Sequence, residues 1–180
     1  MDKLPAKVVR AAEWSETAFR EVYSRYIRPV HSYILRRVRN HHDAEDLTEQ
    51  AFLQAYRHFE RARRESNGRP LRPWLIRIAH NLASNYHRDR ARRPQAALEA
   101  VEPPADPHRT EQIVEGREEL RLVMQRLERL SDDRREALIM RFALGMSNRE
   151  IARALGRTDG ATKVLIHRAI KQLEEEMSGT

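Results

Sequence analysis

Met146-Ser-Asn-Arg-Glu-Ile-Ala-Arg-Ala-Leu-Gly156 is the stretch that decides the fold of the C-terminal part of this 180-residue chain. Ser147 is followed three positions on by Glu150, the spacing at which a serine hydroxyl and a glutamate carboxylate satisfy each other's orphan backbone N–H groups at a helix start. Ile151, Ala152 and Leu155 then form a short apolar stripe, and Gly156 is free to adopt the left-handed conformation that stops a helix. One complete short helix is thus written in these residues. A three-residue turn, Arg157 to Asp159, leads to a second helix predicted from about Gly160 to Glu175, with Thr162, Ile166, Ala169, Ile170 and Leu173 facing the core. Two helices at this spacing form a helix-turn-helix, in which the first braces the second and leaves its N-terminal turns free to enter the major groove of DNA. Lys163, His167 and Arg168 are then candidates for phosphate or base contacts. A helical hairpin with merely solvated basic residues is the blander reading of the same pattern.

Moving upstream, Ile113, Leu120, Val123, Leu127 and Leu130 line one face of a predicted helix. Ser131 offers an N-cap to the next, which Ala137, Leu138, Met140, Arg141 and Phe142 continue and Gly145 can end. Before these lies Pro94 to Glu119, with four of the eight prolines and no sustained helical pattern before about Thr110. Its charge reverses sign: Glu99, Glu102, Asp106, Glu111, Glu115, Glu118 and Glu119 stand against Arg109 and Arg117. Proline and charge together mark a flexible acidic linker.

From Trp14 to Arg93 apolar residues recur at three and four, as in Phe19, Val22, Tyr23, Tyr26 and Ile27, then Ile34, Leu35 and Val38. A second helix is predicted from about Asp43 to Ala62 through Leu47, Ala51, Phe52, Ala55, Tyr56 and Phe59. A third runs from about Pro73, a favoured first-turn residue, through Trp74, Leu75, Ile78, Ala79, Leu82 and Tyr86. Glu65 to Arg72, with Asn67, Gly68 and Pro70, is a predicted loop. The acidic group Asp43, Glu45, Asp46 and Glu49 opens the second helix, where carboxylates relieve the positive end of the dipole; it serves equally as a docking surface for a basic partner helix. Arg57 to Arg93 carries eleven arginines against Glu60, Glu65 and Asp89, interleaved with aromatic rings, a mixture suited to single-stranded or melted nucleic acid. Tyr56 and Trp74 keep step with the apolar stripe, so both are expected mainly in the core. Asn81 and Asn85, one turn apart, share a face from which a base edge can be read.

The bulk properties exclude much else. Net charge is +7, the sequence pI is near 10.2, and arginine supplies 30 of the 34 basic residues, which makes polyanions plausible partners. No run of about 18 uncharged apolar residues exists, so direct membrane insertion is not expected. Met1 to Arg10 lacks the features of a signal peptide, and without cysteine there are neither disulfides nor thiolate metal sites; a cytoplasmic location is the expectation. His41 and His42 beside Asp43 do not converge as metal ligands, no glycine-rich phosphate loop or nucleophile elbow is present, and neither catalysis nor a cofactor is expected.

Six stretches carry a family resemblance: Phe19 to Val38; Asp43-Ala-Glu-Asp-Leu-Thr-Glu-Gln-Ala-Phe52 with Pro73-Trp-Leu-Ile-Arg-Ile-Ala-His-Asn-Leu82; and Leu130-Ser131 with Met146 to Gly156 and Gly160 to Ala169. Taken together they resemble an extracytoplasmic-function sigma factor, the minimal two-domain class of the sigma-70 family. The resemblance implies an all-α fold of two small helical domains: 1–94 as region 2, 95–117 as the linker and 118–180 as the region 4 helix-turn-helix. It implies that Asp43, Asp46 and Gln50 dock on the beta-prime clamp helices of core RNA polymerase, while the second domain meets the beta flap. The loop with Ser66 and Asn67 would hold a base flipped from the minus-ten element, and Arg77, Asn81, Asn85 and Arg88 would line the adjoining strand. Arg149, Thr158, Lys163, His167 and Arg168 would contact the minus-thirty-five element. An anti-sigma factor, often membrane-bound in this class, is a further implied partner; nothing after Glu176 suggests a sensing domain, so regulation is expected from another chain.

Two departures from the family pattern stand out. Val164 and Leu165 follow Lys163 where relatives commonly carry Ser-Arg, so the helix reads thymine methyl groups, or its face is covered by a protein, or promoter recognition leans on the first domain. Glu49-Gln50 also reverses a frequent Gln-Glu. Two other readings fit the bare residues: a helix-turn-helix regulator that never binds core polymerase, and an RNA-binding or polymerase-associated protein without promoter preference.

Overall fold

A computed structural model of the chain describes residues 6–92, 122–123 and 125–178, with side chains from residue 16 onward; the expected acidic linker and the start of the helix after it lie outside the described residues. All regular structure among the described residues is helical. The chain divides into two compact units, Met1–Glu102 and Pro103–Thr180.

In the first unit, α1 (Ala6–Val38), α2 (His41–Ser66) and α3 (Arg72–Arg92) pack pairwise against one another. Pro29 lies inside α1 and removes one backbone donor. Arg39, at φ +56°, and Asn40 make the tight corner into α2, where the Asn40 side-chain oxygen accepts from the Asp43 N–H at 3.0 Å. The core is built from Val30, Tyr33 and Ile34 of α1, Ala44, Ala51, Phe52, Ala55 and Phe59 of α2, and Leu75, Ile76, Ala79 and Ala83 of α3. The alanines bring backbones close, and Phe19–Phe59 and Tyr23–Phe52 edge-to-face pairs at 5.2 and 4.8 Å fill the wider end.

A polar seam crosses that interior. The Tyr33 hydroxyl meets His80 Nδ1 at 3.1 Å, Arg37 donates to the Ser84 hydroxyl at 3.3 Å, and His87 Nε2 lies 2.9 Å from the Arg37 carbonyl. Residues 80, 84 and 87 share one face of α3, so the seam fixes that helix's rotation against α1.

Two expectations change here. The loop after α2 is shorter than Glu65 to Arg72: the helix runs through Ser66, Asn67 caps it in the left-handed region at φ +49°, and Arg72 already opens α3. Tyr56 is not core. Its ring packs edge-on to Phe19 at 5.0 Å but stays 55% exposed, because it lines an open groove of about 300 Å³ between α1 and α2. Trp74 is half-buried.

In the second unit, a helical stretch ending at residue 128 closes through Arg129 and Leu130, followed by α4 (Asp132–Leu138), a π-helical turn (Ile139–Ala143), α5 (Asn148–Leu155) and α6 (Asp159–Ser178). Ser131 occupies the N-cap position of α4, yet its hydroxyl makes no capping bond. The π turn was not foreseen. Phe142, expected to continue the helix, lies within this turn and is 70% exposed. Gly145 follows at φ +60°. Met140, Met146, Ile151, Ala154, Ile166 and Ala169 form the interior, with the carboxyl-bearing Glu136 fully buried among them.

Candidate nucleic-acid and polymerase interfaces

At the start of α2, Asp43 is half-buried and its carboxylate accepts from the Tyr86 hydroxyl at 2.7 Å. Arg90 in turn donates to the Tyr86 oxygen at 2.9 Å and lies over the ring, 5.9 Å from its centroid. Burial raises the Tyr86 phenol above its ordinary value, the Asp43 hydrogen bond and charge raise it further, and Arg90 partly opposes them. The phenol therefore remains a donor at neutral pH. Asp46 and Gln50 are exposed on the same side of α2, with His42 Nδ1 3.9 Å from the Asp46 carboxylate. Of the expected docking residues, Asp46 and Gln50 are thus open to a partner, whereas Asp43 is committed to α3.

Between α2 and α3 lies a groove of about 520 Å³ lined by Asp43, Gln50, Asn85, Tyr86, Asp89 and Arg90, among others. It brings together Gln50 and Asn85, which the sequence reading assigned to two different partners. Arg77, Asn81, Asn85 and Arg88 are all exposed and form one stripe along α3. Arg88 donates to the Asn85 side-chain oxygen, which leaves the NH2 group of that amide as a donor for other partners. At the loop, Asn67 and Gly68 both take positive φ and are exposed; the Ser66 hydroxyl donates to the Arg63 carbonyl at 2.8 Å, so its proton serves the helix end. Most of the arginines between Arg57 and Arg92 are exposed, some tied to neighbouring acids as in Arg61–Glu65 at 2.7 Å; Arg93 lies outside the described residues. Among the described residues no group of three or more His, Cys, Asp or Glu side chains could hold a metal ion, and no helix is long and apolar enough to cross a membrane.

In the second unit both halves of the capping box form: Glu150 N–H donates to the Ser147 hydroxyl at 3.3 Å, and Ser147 N–H donates to the Glu150 carboxylate at 2.9 Å. Gly156 ends α5 at φ +66°, and α6 starts at Asp159, one residue earlier than expected. Thr158 accepts from the Ala161 N–H at 3.2 Å, which caps α6 and leaves the hydroxyl proton to donate outward. Arg149 pairs with Asp159 at 3.3 Å across the turn. Thr162 and Ala169 are fully buried and Ile166 nearly so, while Lys163, His167 and Arg168 are exposed together on the opposite face. The second helix of the pair thus stands with its cations outward over a packed inner stripe.

Comparison with known proteins decides what this arrangement belongs to. The sigma-70 region 2 model matches residues 22–93 and the sigma-70 region 4 model residues 120–173. The ECF RNA polymerase sigma factor SigD of Mycobacterium tuberculosis is 32% identical over 185 residues, covering 98% of this chain and 84% of SigD. This chain belongs to the ECF RNA polymerase sigma factors. The ECF sigma factor BldN of Streptomyces coelicolor is 32% identical over 92% of the chain, which spans 62% of BldN's length. The sigma factor RpoE of Bartonella quintana, solved with the anti-sigma factor NepR, shares the fold at a TM-score of 0.69 and 24% identity, over 89% of this chain and 97% of that one.

Sequence reasoning on this sigma factor missed one functional-site contact, the Asp43–Tyr86–Arg90 link. Its partners stand 43 positions apart, and no local pattern announces them.

Proposed function

We propose that this sigma factor delivers core RNA polymerase to promoters through two separate DNA-reading faces, acting by binding rather than by catalysis of its own. The first domain, 1–94, docks on the beta-prime clamp helices through Asp46 and Gln50, with Asp43 fixing the start of α2. Its α3 stripe, Arg77, Asn81, Asn85 and Arg88, holds the opened minus-ten strand, with a flipped base at Ser66 and Asn67. The domain 118–180 meets the beta flap and reads the minus-thirty-five duplex through Lys163, His167 and Arg168, flanked by Arg149 and Thr158. The segment 95–117 joins them. A separate anti-sigma factor, of the kind bound to RpoE, holds the chain inactive in the cytoplasm until a signal releases it.

The observation that supports this reading over a plain helix-turn-helix regulator is the groove lined by both Gln50 of α2 and Asn85 of α3. It sets a candidate polymerase-docking helix directly beside a candidate strand-holding helix, an arrangement a regulator that never touches polymerase has no use for.

Run-off transcription with purified core polymerase on a genomic promoter library tests it. Discrete start sites should depend on this chain and vanish with Asp46→Arg, a reversal chosen because Asp46 is exposed and outside the Tyr86 link. A native chain that neither binds core nor stimulates initiation would overturn the reading in favour of the regulator.

A further inference from the structure

The outer face of α6 carries one residue that the fold does not explain. Thr162, Ile166 and Ala169 form its buried stripe, and the half-buried Leu165, three residues after Thr162, belongs to the edge of that stripe. Leu165 is therefore accounted for by packing. Val164 is not: it is 50% exposed, in the second turn, among the exposed Gly160, Lys163, His167 and Arg168. A β-branched side chain at such a helical position loses rotamer freedom and gains only partial burial, so fold physics alone favours a straight-chain polar residue there.

The surroundings say what kind of surface Val164 would meet. Its neighbours one turn on, His167 and Arg168, and the adjacent Lys163, suit a polyanion and not an apolar protein face. One turn back, Gly160 has no atom within 4 Å of where a Cβ would stand, and the exposed Ala161 beside it is small, so the first turn keeps a low profile. A short side chain such as valine can then reach the floor of a groove. In the major groove of DNA the only apolar group on a base edge is the C5 methyl of thymine.

We propose that Val164 is a specificity-determining residue that selects thymine in the duplex read by α6, by van der Waals contact with the C5 methyl, while Lys163 and Arg168 hold the flanking phosphates or a guanine edge. The proposal rests on the promoter-recognition reading above.

The test uses holoenzyme and a duplex selected from a library randomised over the minus-thirty-five element, with each selected thymine replaced in turn by deoxyuridine, which lacks only the methyl. At one position the replacement should weaken native holoenzyme about fourfold, the size of one buried methyl-sized group. Val164→Ala should bind the thymine and deoxyuridine duplexes equally, and Val164→Ile should keep the discrimination. Because residue 164 lies half exposed outside the buried stripe, both variants should fold as the native chain does, with helical content and thermal midpoint unchanged. No deoxyuridine effect at any position, or an effect that survives Val164→Ala, would overturn the assignment with the promoter reading intact. A selection that yields no preferred duplex and no discrete start sites would instead remove the promoter reading itself.

Discussion

The polar groups at the two candidate interfaces are held by different means. In the first unit the links that set α3 against its neighbours cross between helices, Tyr86 to Asp43 over 43 positions, Tyr33 to His80 over 47 and His87 to the Arg37 carbonyl over 50, while Arg88 to Asn85 and Ser66 to Arg63 are local. In the second, those around the starts of its two last helices are local, Ser147 with Glu150, Thr158 with Ala161, and Arg149 with Asp159 just across the corner, while Arg134 to Gln172 and Arg129 to Glu176 tie the later turns of α6 to earlier chain. The difference teaches where damage should spread. A site assembled by tertiary packing fails when the packing fails, whereas a site assembled locally can lose stability by small steps and keep its shape.

The sharpest way to break that contrast is Tyr33→Ala. Tyr33 is fully buried and anchors the α1–α3 seam through His80. Removing its ring opens a cavity and strips His80 of a partner, at a cost of about 3–5 kcal/mol. Amide hydrogen exchange should show protection lost throughout α1, α2 and α3 and unchanged in α5 and α6. Equal loss in both units would mean that they are not separate folding units, and the contrast would fall.

Ser147→Ala should act on the other side and by less. It removes one half of the capping box and unsettles the other, for about 1–2 kcal/mol, confined to the second unit. Denaturant midpoints read by a probe in each unit should shift only for the second, and binding of holoenzyme to a promoter duplex should fall by less than about threefold, since no DNA-facing side chain of α6 is changed. A collapse of binding would show that the cap holds the reading face in place.

The same contrast explains what could be read without coordinates. Ser147, Glu150, Gly156 and the apolar spacing of α6 are short-range signals, and the helix-turn-helix follows from them to within a residue at Asp159. The three helices of the first unit were equally legible in their periodicity, and the outward placement of Lys163, His167, Arg168, Asn81 and Asn85 follows from the inward placement of their neighbours. What was not legible depends on packing. Tyr56 keeps step with the core stripe yet lines an open groove between α1 and α2 that no local pattern announces. Phe142 is expected to continue α4 but lies within a π turn. Ser131 stands at a helix start, but its hydroxyl makes no capping bond. Asp43 reads as a free carboxylate at a helix start and turns out to be bound by a tyrosine from another helix.

That last contact gives the smallest and most selective effect. Tyr86→Phe keeps the ring and the Arg90 guanidinium over it but deletes both hydrogen bonds of the hydroxyl, the one donated to Asp43 and the one accepted from Arg90. The pair is only partly buried, so solvent screening puts the loss at the low end for a hydrogen bond, about 0.5–1 kcal/mol. Its pH dependence has a definite sign. The folded phenol titrates above its ordinary value of 10.0, so the native protein favours the protonated form more than the unfolded chain does. The stabilisation is therefore complete below that value and is lost as pH rises through the higher folded range. The gap in denaturant midpoint between native chain and Tyr86→Phe should be constant through neutral pH and close in alkali, and phenolate absorbance should show one late-titrating tyrosine missing from the variant. If the gap instead stayed open in alkali, the phenol's proton would not be what links α2 to α3.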